Sequence, residues 1–135
     1  MRILLKQVHR KCDKHGCGHY GASRRVRKHN GLDIEAEKGK PVYIPFNGIV
    51  TKLGYTYADD LSFRYVEVTS DKYAVRLFYI DPLVRLGQNV FEGDVAGTVQ
   101  TLKDRYKGIT DHVHVELRKN DKLLNPEKFF LEDKI

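Results

Sequence analysis

Two short runs carry most of the chemistry in this chain: His29-Asn30-Gly31-Leu32-Asp33 and His112-Val113-His114. Between them they offer three imidazoles and a carboxylate, a donor set that suits one Zn²⁺ ion. If the stretch 111–117 is a strand, alternate side chains share a face. His112, His114 and Glu116 then point one way, while Val113, Val115 and Leu117 enter a core. The two histidines would stand ~6.6 Å apart along the strand, within reach of one small site. An extended 29–33 segment would hold His29 and Asp33 ~13 Å apart. That is too far for two ligands each ~2 Å from one ion. Asn30-Gly31 is a turn-prone pair that folds His29 back towards Asp33. Gly31 and the β-prone residues after it argue against a helix, which would also align i and i+4. A lone H-x-H in a basic protein is most often solvated; the joint presence of both motifs points to a metal.

These residues need a scaffold, and the sequence describes one. The chain has 135 residues, of which 41% are apolar, enough for one domain around one core. No run approaches the ~18 apolar residues of a transmembrane helix. Met1–Lys6 is too short for the apolar region of a signal peptide, so the chain is expected to be cytosolic or a mature fragment. From residue 32 onward the pattern is strand-like. Leu32–Ala36, Tyr65–Thr69 and Tyr73–Tyr79 alternate, and Ser70-Asp71-Lys72 reads as a hairpin turn. Helix is expected only at the end, where Asn125 can cap, Pro126 suits the first position and residues to Glu132 follow. The expected fold is mainly β: a compact antiparallel sandwich or barrel over 29–135, with 1–28 as an irregular arm packed on it. The net charge of +6 favours anionic partners, and Arg24, Arg25, Arg27 and Lys28 form a basic block before His29. Tyr55 and Tyr57 sit in an expected surface loop over 54–63 and complete the candidate binding surface. Nothing resembles a nucleic-acid platform or a helix for a groove. Cys12 and Cys17 leave three readings open: a small-loop disulfide, free thiols, or a knuckle with His15 and His19.

The run His29–Ile34, then Gly39–Val50, Gly87–Val99, His112-Val113-His114 and Asn125-Pro126, resembles the lysostaphin-type (LytM-like) zinc metallopeptidases. The resemblance is closest to one animal branch, the leukocyte cell-derived chemotaxins, through Cys12–Gly18, Phe78-Tyr79-Ile80 and Tyr106–Ile109. It implies one Zn²⁺ held by His29, Asp33 and His114, with His112 beside the metal acting on water or the transition state. It also implies a Cys12–Cys17 disulfide and hence a secreted protein (periplasmic if bacterial). In active peptidases of this family a further histidine follows a tyrosine in a Tyr-x-His pattern. Here the stretch reads Leu77-Phe78-Tyr79-Ile80-Asp81, with Ile80 where that histidine is expected. Loss of one acid–base group costs roughly 10²–10⁴-fold in rate. Tyr79, His15 or His19 would have to stand in. The reading is therefore a zinc-binding, catalytically silent extracellular monomer that meets a cell-surface receptor or an anionic glycan. The alternative is an active endopeptidase on glycine-rich or peptidoglycan cross-link peptides, with His112 as its catalytic residue.

Overall fold

The computed structural model describes residues 1–24 and 27–131, and side chains for all of these except 23, 24, 27 and 28. Alternating apolar positions make strands wherever the sequence expects them. The strands are β1 (Ser23–Arg24), β2 (Arg27–Lys28), β3 (Leu32–Glu35), β4 (Pro41–Tyr43), β5 (Gly48–Tyr55) and β6 (Arg64–Thr69). They continue with β7 (Tyr73–Phe78), β8 (Ile80–Pro82), β9 (Asn89–Val90), β10 (Val95–Val99), β11 (His112–Lys119) and β12 (Lys122–Leu124). One short helix, α1 (Glu127–Phe130), closes the described chain. The Asn125 carboxamide oxygen accepts the Glu127 amide at 3.0 Å, so this residue caps the helix as expected. All named strand pairs are antiparallel, and the fold is mainly β.

A large sheet runs in the order β12-β11-β7-β6-β5-β9, and β3 pairs with the opening half of β11. A three-stranded sheet, β4-β10-β8, covers one side. Val66, Val68, Val75, Leu77, Val113, Val115 and Leu117 of the large sheet meet Val42, Ile80, Ala96 and Val99 of the small one in a shared core. The period of two leaves the other face of the large sheet for chemistry. The N-terminal segment joins the same core: Ile3 and Leu4 are buried in it, and His9 bridges Ile34. Backbone bonds tie it down further, from Arg10 N to Asp33 O and from Glu35 N to Val8 O. Cys12 and Cys17 form a disulfide, which settles the choice among the three readings of that pair. Among the described residues no helix is long and apolar enough to cross a membrane.

Candidate metal centre

Strand register brings the two motifs together. β3 and β11 pair with Asp33 opposite His114, so both side chains leave the same face of the sheet. His29 lies just before β3, and its backbone is pinned to Ala22 and Gly21 by bonds of 2.7 and 2.9 Å. The turn at Asn30-Gly31 passes so close to β11 that a Cβ on Gly31 would collide with the Val115 carbonyl and lie 2.9 Å from the His114 ring. Only glycine permits that approach.

The three donor atoms form a tight triangle. His29 Nε2 is 2.9 Å from His114 Nδ1 and 3.1 Å from Asp33 Oδ1. His114 Nδ1 is 2.8 Å from the same Asp33 oxygen. Nitrogen and oxygen ligands of a tetrahedral zinc lie ~3.3 Å apart, so a few tenths of an ångström of widening admits the ion. The outward nitrogens are already committed. His29 Nδ1–H donates to the His19 carbonyl at 3.0 Å, and His114 Nε2–H donates to Glu116 Oε2 at 2.9 Å. Two inward lone pairs at 2.9 Å repel unless a proton or a metal lies between them, so the residues present fit a divalent ion.

The electrostatics agree. Burial alone would raise the Asp33 carboxyl, but His112, His114 and His29 hold it well below the usual carboxylate range. Burial alone would lower His114, but Asp33 and Glu116 raise it to about 9. His112 is pushed down by burial despite Asp33. Its Nδ1–H donates to Thr110 O at 2.7 Å, and Nε2 stands 3.4 Å from Asp33 Oδ2. A neutral imidazole with a free inward lone pair is able to take a proton.

Around the triangle lies a groove of about 400 Å³. Tyr57, Tyr79, Tyr106 and His15 line it. The Tyr57 hydroxyl is 3.0 Å from that of Tyr79 and accepts from Tyr106 at 3.0 Å. Burial pushes the Tyr79 phenol up to about 12. Ile80, expected at the place of the missing histidine, does not face this groove: it is fully buried in the core. The reason is Tyr79, whose φ of 71° kinks the chain between β7 and β8. The kink turns Tyr79 into the groove, with its ring edge-on to His112 at 5.4 Å. His15 also reaches the groove, and its Nε2–H donates to Lys107 O at 2.8 Å. The His19 ring is exposed, and its carbonyl serves His29.

Of the candidate binding residues, the structure describes the side chains of the two tyrosines. Tyr55 is exposed, with Arg64 over its ring at 4.4 Å, whereas Tyr57 is a groove wall with Arg105 over it at 3.7 Å. Arg25 lies outside the described residues, as do the side chains of Arg24, Arg27 and Lys28. Sequence reasoning missed Arg10. This buried arginine bonds Asp33 Oδ2 at 2.8 Å while Asp13 grips it at 2.7 Å. Its distance from both motifs left no local signal.

Comparison with known proteins places the fold. Leukocyte cell-derived chemotaxin-2 of Mus musculus is 35% identical over 108 residues, covering 79% of this chain and 71% of that protein. The chemotaxin-2 of Bos taurus is 33% identical over the same shares. Among solved structures, lysostaphin in solution superposes with a TM-score of 0.71 at 16% identity, covering 89% of this chain and 53% of that one. LytU superposes at 0.68 with 23% identity, covering 93% and 86%. The model of peptidase family M23 matches residues 27–126. With residues 27–126 matched by the family model and 79% of the chain shared with chemotaxin-2, the chain belongs to peptidase family M23, close to the animal chemotaxins.

Proposed function

We propose that this is an extracellular protein that holds one Zn²⁺ through His29, Asp33 and His114 and uses its groove and basic surface for binding rather than turnover. The observation that carries this reading is Tyr79. A peptidase of this kind needs two proton-handling groups beside its metal-bound centre. Here one of the two places holds a phenol raised to about 12, which keeps its proton at neutral pH. The phenol is also engaged with Tyr57. When bound, zinc would supply a Lewis acid and tie the two motifs together. His112 alone would handle protons. The disulfide and the likeness to chemotaxins support an extracellular setting. The +6 charge supports an anionic glycan or an acidic receptor surface as partner, met by a monomer.

One observation favours the second reading, an endopeptidase on glycine-rich or peptidoglycan cross-link peptides. Tyr79 is a neutral donor beside a neutral His112, and such a pair could serve an oxyanion and a base in turn. The deciding experiment incubates the zinc-loaded protein with pentaglycine and with muropeptides. Absence of cleavage, or a rate at least ~100-fold below an intact relative, is expected. Robust cleavage that disappears in His112→Ala makes the protein an enzyme.

A further inference from the structure

We propose that Glu116 is the positioning residue of the metal centre, holding His114 so that Nδ1 and not Nε2 faces the ion; this rests on the zinc reading above. An imidazole can ligate through either nitrogen, and what fixes the choice is the hydrogen bond made by the other. His114 offers Nδ1 to the triangle, whereas His29 offers Nε2. For His29 the opposite nitrogen is committed to a backbone carbonyl. For His114 a carboxylate takes that place: its Nε2–H donates to Glu116 Oε2 at 2.9 Å. Glu116 follows two residues later on β11 and therefore stands on the same face.

The carboxylate stands in a row of charges across the sheet. Glu116 lies opposite Arg76 on β7, and Arg76 lies opposite Glu67 on β6. Arg76 Nε donates to Glu67 Oε2 at 2.7 Å, and the Thr51 hydroxyl donates to Glu67 Oε1 at 2.7 Å. Opposite charges placed directly across strands attract, so Arg76, although its own bond goes to Glu67, favours a carboxylate at Glu116. Arg118 approaches the other Glu116 oxygen at 3.5 Å, a looser contact. Glu116 thus reaches the metal only through His114 and has no place among the ligands.

The test measures zinc affinity by competition with a chelator in the wild type, Glu116→Ala, Glu116→Gln, Arg76→Met and His114→Ala. Glu116→Ala should weaken zinc ~10–100-fold, and His114→Ala should weaken it further. Glu116→Gln keeps an acceptor oxygen and should recover most of the loss; Arg76→Met should fall between. A second readout is the nitrogen-15 correlation spectrum of the zinc-loaded protein. His114 should show a slowly exchanging Nε2–H in the wild type and in Glu116→Gln, and lose that protection in Glu116→Ala. A merely structural side chain would shift melting without moving this proton. Zinc affinity in Glu116→Ala within twofold of wild type, with the Nε2–H still protected, overturns the assignment. A wild type that fails to bind zinc is a separate result: it overturns the metal reading and this assignment with it.

Discussion

Replacing Asp33 by Asn keeps the shape of the side chain and removes its charge, and the structure sets the consequence. Asp33 is 2% exposed. Oδ1 meets His29 and His114, and Oδ2 meets Arg10 and His112. Breaking a buried ion pair by neutralising one partner costs ~3–5 kcal/mol. Arg10 keeps its bonds to Asp13 and to the Gly16 carbonyl, so the lower end applies. A second loss appears only with metal. Zinc at a hundredfold excess over its dissociation constant stabilises the fold by ~2.7 kcal/mol. For a domain of this size 1 kcal/mol moves Tm by ~3 °C. Calorimetry with and without EDTA should therefore show two separable steps. EDTA should lower the wild-type Tm by ~8 °C. Asp33→Asn should melt ~9 °C below the metal-free wild type and should not respond to EDTA at all. An Asp33→Asn protein with full zinc content and a wild-type response to EDTA would refute the ligand assignment. An unchanged metal-free Tm would refute the argument about the buried pair.

The protonated His114 must give up its proton to bind metal, and its folded value is about 9. Zinc affinity should rise about tenfold per pH unit from neutrality to about pH 9 and then level off, as competition assays across pH will show. Its contribution to the metal-free fold has the matching sign. The raised value stabilises below the unfolded imidazole's ~6.5 and is lost as pH rises through 9, so the metal-free Tm should fall over that window. Ile80→His places an imidazole in a fully buried apolar site and should destabilise the fold by ~2–4 kcal/mol in denaturant titration without raising cleavage. Tyr79→His puts the ring in the groove at a positive φ that histidine tolerates; it should raise cleavage of pentaglycine above wild type. Replacing both cysteines by Ser removes a short loop closure and should cost ~2 kcal/mol by the same titration.

Much of the architecture was legible because it follows local periodicity. Val113-x-Val115-x-Leu117 and Val66-x-Val68 alternate, and their burial matches the pattern. Ser70–Lys72 turns β6 into β7, and Asn125 caps the last helix, since turn and cap chemistry acts over two to four residues. The groove walls were not legible. Tyr57 reads as a surface-loop residue, yet it packs on Phe63 of the same loop and on Tyr79 and Tyr106 from distant parts of the chain.

Local pattern alone shows which donors can face a metal. A period of two puts His112, His114 and Glu116 on one side of β11, and a turn at Asn30-Gly31 is the local way to bring His29 near Asp33. What surrounds them comes from packing between distant segments. The β3–β11 register set Asp33 opposite His114. A single left-handed residue, Tyr79, exchanged the faces of Tyr79 and Ile80, because a one-residue change of phase in an extended chain sends every side chain to the opposite side. Arg10 reached Asp33 from 23 positions away. Such pairings depend on which segments pack together, a long-range outcome that local pattern does not encode.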